Sequence, residues 1–199
     1  MGLVRDWTLI LLSVMYVLAA GITVVYTVRT TLSDPTDPTV ARERASRKLP
    51  EAERKKAFNK GDYEYFCSVC MAHVIQDSKH CRKCNRCTQL FDHHCNIVNN
   101  DIGIRNYRLF AVMIGAANVF LTLHLGLSAY SLALLYRSAS APTLAHLADI
   151  QTQWATSLDL QIGLVSSFTG VILCFLGMLP LGHLSIFHLY LCHKGMTTF

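Results

Sequence analysis

Charge is missing from three long stretches of the sequence. No Asp, Glu, Lys or Arg occurs in the 22 residues from Trp7 to Val28, the 28 from Leu109 to Tyr136, or the 33 from Leu160 to Cys192. A surface helix of a soluble domain keeps one charged face, so runs of this length exclude an ordinary soluble fold. Each exceeds the roughly 20 apolar residues that cross a bilayer. The first run also has no clear small-residue cleavage site before Arg29, and it outlasts the roughly 7–15 apolar residues of a signal peptide, which favours a span over a removable leader. The sequence therefore predicts membrane-spanning helices at 7–28, 107–136 and 161–192.

Basic residues are scarce outside one segment. Fifteen of the 18 Lys and Arg lie between Arg29 and Arg108, and the ten acidic residues there leave that segment a net charge of +5. Lys/Arg enrichment marks the cytoplasmic side. The linker 29–62, the segment 63–106 and the tail 193–199 are accordingly expected in the cytosol, and the loop 137–160 in the lumen or outside the cell. The expected setting is an integral multi-pass protein of the endomembranes or the plasma membrane. The positive surplus suits anionic lipid headgroups, and tethering to a membrane argues against nucleic acid as a partner. Within the linker, "RTTLSDPTDPT" carries two Asp-Pro pairs that stop a helix leaving the membrane. The following "VARERASRKLPEAERKKAFNK" mixes both charge signs and reads as a polar amphipathic helix or solvated linker. No internal repeat is evident at a period of 20 to 50 residues.

From Tyr63 to about Asn106 long apolar runs disappear, and six of the eight cysteines and four of the nine histidines accumulate. So small a segment lacks the core to fold on packing alone, and a bound metal is the expected staple. Cys67-x2-Cys70 lets two sulfurs converge on one ion. Cys84 and Cys87 follow Cys81 at intervals of three. His80 and Cys81 are adjacent, and neighbours in an extended segment face opposite sides, so they are expected to serve different ions. Disulfides are disfavoured in the cytosol, and thiolate with imidazole favours zinc. Two tetrahedral sites need eight ligands. Cys67, Cys70, His80, Cys81, Cys84 and Cys87 give six, one of His93 and His94 a seventh, and Asp101 can supply the eighth. That leaves Cys95, the other histidine and Asp92, the arrangement that activates a thiol nucleophile. Spacing alone also permits the reverse, with Cys95 a ligand and Asp101 a bystander.

The series Cys67/Cys70, His80-Cys81-x2-Cys84-x2-Cys87, Asp92-His93-His94-Cys95, Asn99-Asn100-Asp101-Ile102-Gly103 and Asn106 to Phe110 resembles the cysteine-rich domain of the DHHC family of membrane protein S-acyltransferases. The resemblance implies one zinc on Cys67, Cys70, His80 and Cys87 and a second on Cys81, Cys84, His94 and Asp101. It implies Cys95 as nucleophile, His93 as its base and Asp92 as the group that orients His93. It further implies acyl-CoA, palmitoyl-CoA in this family, as co-substrate. Substrate proteins carrying cytosolic cysteines at the membrane would be the acceptors, with an accessory subunit left open. The expected fold is an all-α polytopic membrane protein with about three transmembrane helices and a small cytosolic domain binding two zinc ions. Asp34-Pro35-Thr36 and the C-terminal "MTTF" resemble shorter motifs of the family.

Several positions depart from the family pattern. Asp101 replaces the last zinc cysteine, Asn96-Ile97 replaces a Pro-Trp, and a Pro-x-Arg is lacking before His80. One span rather than two precedes the cysteine-rich segment, and the sequence stops before the Glu that normally follows "TT". These departures predict a divergent or truncated member with a weaker second metal site. The competing reading is a zinc-folded membrane adaptor whose activity has eroded.

Overall fold

The computed structural model describes residues 2–140 and 150–194. The chain forms two compact units, one from Met1–Ile22 and Ile114–Phe187, the other from Thr23–Met113 and His188–Phe199. Three long helices supply the apolar runs: α1 (Gly2–Leu32), α4 (Tyr107–Ser140) and α5 (Ile150–Lys194). Each contains a segment long and apolar enough to cross a membrane, Ile10–Leu32, Tyr107–Leu134 and Gln161–Leu191. Their large apolar side chains are largely exposed, among them Leu11, Val17, Val24, Ile172, Leu176 and Leu189. Water would not tolerate so continuous an apolar surface, whereas lipid does. The interval read as a loop, 137–160, is helical through Ser140 and again from Ile150, and "MTTF" lies outside the described residues.

In the first unit the helices are held by polar pairs within the apolar setting. Asn118 donates to Ser185 Oγ at 2.9 Å, and Tyr16 Oη lies 3.1 Å from His124 Nδ1. A Cβ at Gly170 would stand 2.8 Å from Ser128 Oγ, so only glycine permits that approach. Small residues and hydrogen-bonding side chains are the usual means of helix contact where no hydrophobic force acts between helices.

The second unit departs from an all-α class. Among its described residues are three two-stranded antiparallel sheets, β1–β2 (Tyr65–Cys67, Ala72–Val74), β3–β4 (Lys79–Cys81, Arg86–Thr88) and β5–β6 (His93–Cys95, Asn100–Ile102). Strands of three residues bury too little to hold by themselves, and their turns carry the strain. Met71, Asn85 and Asn99, the residues that close the three turns, all have positive φ, between 45° and 50°.

The linker is more structured than its charge mixture suggests. α1 ends before the first Asp-Pro, and Pro38 opens α2 (Pro38–Ser46), with Asp37 as the capping residue. Asp37 is fully buried; its carboxylate accepts from Thr39 N, Ile75 N and Ser78 Oγ. The first copy of the tripeptide is exposed by comparison, with Asp34 bonding Thr36 and Arg86. α2 packs Val40 against Cys70, Ala72, Val74 and Cys87. It also buries Glu43, which accepts from His73 N at 2.6 Å and pairs with Arg47 at 2.9 Å. A short helix α3 (Glu51–Ala57) follows and buries none of its side chains.

Candidate active site and metal centres

The three hairpins are copies of one unit. Strand starts at Tyr65, Lys79 and His93 recur every 14 residues, as do Cys67, Cys81 and Cys95. Each hairpin offers two sets of ligand positions. Its turn begins with a cysteine and, three residues on, presents Cys70, Cys84 or Val98. Its two strands oppose a pair across the ladder: Phe66 with His73, His80 with Cys87, and His94 with Asp101.

Two sites arise between neighbours in this series. Cys67 and Cys70 of the first turn meet His80 and Cys87 of the second ladder, and Cys81 and Cys84 of the second turn meet His94 and Asp101 of the third. Within each group the ligand atoms lie within 4.8 Å of one another. Around a tetrahedral zinc, bond lengths of about 2.3 Å to sulfur and 2.0–2.1 Å to nitrogen put S···N pairs about 3.6 Å apart and S···S pairs about 3.8 Å apart. In the first group His80 Nδ1 lies 3.9, 3.3 and 3.9 Å from Cys67, Cys70 and Cys87, and Cys70 and Cys87 sulfurs are 3.5 Å apart. In the second, His94 Nδ1 lies 3.8 and 3.4 Å from Cys81 and Cys84. The donor set also calls for a cation. Burial, with the Asp101 carboxylate and Cys81 beside it, pushes the Cys84 thiol up to about 11.

Asp101 is the potential ligand that differs. Its Oδ1 stands 2.9 Å from His94 Nδ1, shorter than the roughly 3.3 Å expected between two ligands of one tetrahedral ion. The other oxygen accepts from the buried Thr88 hydroxyl at 3.4 Å. Burial pushes the Asp101 carboxyl up, but bonds from Cys81, His94 and Cys84 outweigh it and hold the pKa below the usual value. The turn past Asp101 is tight: a Cβ at Gly103 would stand 2.5 Å from Thr88 Cγ2.

Among the described residues the third turn has no following hairpin, and Cys95 lies outside both groups. It is buried, and Val98 takes the place of a second thiol. Burial raises the Cys95 pKa, yet a bond to His93 and the backbone N–H groups of Val98 and Ile97 hold it below the ordinary value. The first turn shows the same device, where Cys70 N donates to Cys67 Sγ at 3.4 Å. His93 Nδ1 lies 2.7 Å from Asp92 Oδ2, which leaves the second ring nitrogen for Cys95. Burial lowers the His93 pKa, but Asp92 and Cys95 outweigh it and push it up to about 9. Asp92 is itself buried, its N–H bonded to Ile102 O at 2.8 Å. The arrangement is a carboxylate, an imidazole and a thiol in line, which favours the thiolate form of the thiol.

Asn100 anchors this hairpin to the end of α1, donating to Thr30 O at 3.0 Å and Ser33 O at 2.8 Å, two acceptors at or just past the helix end. Asn106 adds a bond to Ser33 Oγ at 2.9 Å. Of the bases near the site, Lys83 bonds Asn96, Arg86 pairs with Asp34, and Arg105 donates to Thr36 O. Sequence reasoning did not single out Glu43, Asp37 or the ladder pairs. The 14-residue interval between Cys67, Cys81 and Cys95 was the signal that could have revealed the last of these.

The family model described as DHHC palmitoyltransferase matches residues 60–199. Curated relatives include protein S-acyltransferase 8 of Arabidopsis thaliana, 30% identical over 134 residues. Palmitoyltransferase ZDHHC8 of Drosophila melanogaster is 34% identical over 133 residues, and palmitoyltransferase ZDHHC11 of Homo sapiens 31% over 144. Each alignment covers 67% of the chain but only 30%, 12% and 35% of the respective relative. The chain thus spans about a third or less of the length of these proteins.

Proposed function

The chain belongs to the DHHC palmitoyltransferase family, and we propose that it transfers a long-chain acyl group, palmitoyl or similar, from acyl-CoA to cysteines of membrane-associated proteins through an S-acyl-Cys95 intermediate. The observation that carries this reading is the Asp92–His93–Cys95 line at a turn whose sulfur belongs to neither cysteine–histidine group among the described residues.

In the first half-reaction the Cys95 thiolate forms a bond to the thioester carbonyl carbon, and the bond from that carbon to the CoA sulfur breaks. The proton that Cys95 gave to His93 passes to the departing CoA thiolate. In the second half-reaction a substrate cysteine attacks the Cys95 thioester, His93 takes its proton, and the Cys95 sulfur leaves. Asp92 keeps the His93 ring turned towards the thiol and stabilises its charged form, which is the role a buried carboxylate has beside a catalytic imidazole.

Cys67, Cys70, His80 and Cys87 would hold one zinc ion and Cys81, Cys84, His94 and Asp101 a second. When bound, the ions would serve as structural cross-links between successive hairpins. The linker, the hairpins and the tail would lie in the cytosol, following the basic residues. Membrane lipid would take the acyl chain, since burial of each CH2 is worth about 0.8 kcal/mol.

The test is acylation of the protein in isolated membranes with an alkyne-bearing fatty acyl-CoA. Label is expected on wild type, released by hydroxylamine and lost to background in Cys95→Ser. Absence of Cys95-dependent label on folded, zinc-loaded protein would turn the reading to a non-catalytic adaptor.

A further inference from the structure

The Asp92 carboxylate faces a second imidazole. His188, from the far end of α5, places Nε2 3.8 Å from Asp92 Oδ2, the same oxygen that meets His93. His188 Nδ1 lies 3.0 Å from the hydroxyl of Tyr107, at the start of α4. Phe110 sets its ring edge-on to both imidazoles, with centroids 5.1 Å from His93 and 5.6 Å from His188. All five side chains belong to the same compact unit, and Phe110 is fully buried. The three groups Asp92, His93 and His188 lie within 4.8 Å of one another. The 2.7 Å between Asp92 and His93 is a hydrogen bond rather than the wider gap of two ligands on one ion.

We propose that His188 is a positioning residue for the acyl transfer: fixed by Tyr107, it presents a ring N–H to Asp92 and holds that carboxylate against His93. The inference rests on the function proposed above. This role takes the Tyr107 hydroxyl as the donor to Nδ1, which puts the ring proton on Nε2, the nitrogen that points at Asp92. A buried carboxylate with two lone pairs on Oδ2 gains from a second donor, and without it the carboxylate is freer to rotate away from His93. The 3.8 Å separation exceeds a direct hydrogen bond. Contacts of this kind are commonly long in a resting site and shorten when substrate is bound. Tyr107 and Phe110 keep the ring from swinging out, so the shortening needs only a small movement.

The test uses the position at which a side-chain amide is presented, which matters little to a residue that only fills space. Asn carries its amide near the Nδ1 position of histidine, Gln near Nε2. The readout is single-turnover acylation of Cys95 by the full chain in lipid nanodiscs, across a range of acyl-CoA concentrations. Zinc content and thermal unfolding are measured on the same samples. His188→Leu and His188→Asn are expected to lower the limiting rate by roughly tenfold to a hundredfold, as loss of an orienting partner does around metal-bound histidines, with the half-saturating acyl-CoA concentration unchanged. His188→Gln should recover most of the rate, and Tyr107→Phe should fall between. Equal rates for Gln and Asn, or a wild-type rate in His188→Leu, would overturn the proposal. If His188→Leu fails to fold, the Gln and Asn pair still decides. Wild-type protein without Cys95-dependent label would sink the proposed function along with this inference, whereas normal label indifferent to position 188 would sink this inference alone.

Discussion

The second and third turns of the cysteine-rich segment are built alike and face different partners. Cys81 and Cys95 both open a turn that closes on an asparagine of positive φ, Asn85 or Asn99. Cys81 faces a following ladder, His94 with Asp101, and joins a candidate metal group. Cys95 lies in the last ladder of the series, opposite Asn100, has Val98 where Cys84 stands, and faces His93 instead. Backbone N–H groups at such a turn favour thiolate whatever the sulfur does next. A turn made to present a metal-binding thiolate therefore needs little alteration to present a nucleophile: remove the second thiol, supply no following ladder, and bring up an imidazole.

The sharpest way to break the comparison is at the imidazole. Asp92→Asn leaves the turn intact but removes the charge that orients His93, and acylation of Cys95 should fall on the order of a hundredfold or more, measured as initial label against time. A rate near wild type would mean that the backbone alone activates the thiol. The next variant makes the third turn more like the second. Val98→Cys adds a thiol three residues after Cys95, and acylation should drop as the pair captures zinc or oxidises, with a strong reductant and chelator restoring part of it. Unchanged label would show that the valine is incidental.

The converse change restores sulfur to the metal side. In Asp101→Cys a softer ligand replaces a carboxylate, so chelator should withdraw zinc from the second site more slowly than from wild type, followed by zinc release with a chromogenic indicator. Equal release rates would count against Asp101 as the weaker ligand.

The smallest effect is expected at the other end of the series. The first ladder pair, Phe66 with His73, has no earlier turn to serve, and His73 instead bonds the buried Glu43 at 3.0 Å. Burial raises the Glu43 pKa, but the His73 N–H, Arg47 and the His73 ring outweigh it and hold the carboxyl below its ordinary 4.5. Glu43→Gln should destabilise this unit by about 1–3 kcal/mol at neutral pH. A carboxyl with a lowered folded-state pKa contributes stability that is present above its unfolded pKa and lost as pH falls through the folded one. The gap in melting temperature between wild type and Glu43→Gln should therefore hold above about pH 5 and narrow as pH falls below the ordinary carboxylate range. A gap that persists unchanged in acid would show that shape, not charge, accounts for it.

How much of this was legible from residues alone follows the physics of each signal. The three apolar runs announced helices because absence of charge over 20 residues has few other meanings. The expectation that His80 and Cys81 face different ions followed from alternation along a strand, and in the structure His80 lies in one group of potential ligands and Cys81 in the other. The sheets themselves were not legible, since strands of three residues show no period. Nor was the repeat: its interval is short, and Val98 and Asp101 interrupt the cysteines that would have displayed it. Glu43 was hidden in a run of mixed charge that reads as solvated surface. Two identical Asp-Pro-Thr tripeptides offered no reason to prefer Asp37 to Asp34. His188 stands 96 positions after Asp92 in an apolar run, and only folding reveals what it faces.

The bond network from Asn100 to the end of α1 has a consequence for reach. Because the hairpin bearing Cys95 is fastened to the terminus of a membrane-spanning helix, the bilayer surface becomes a reference plane for the thiol. Under the proposed activity the thiol works at one altitude. A cysteine that travels close to that plane meets it, and one held high on a folded soluble domain does not, so selection among substrates would begin with height before any side chain is recognised.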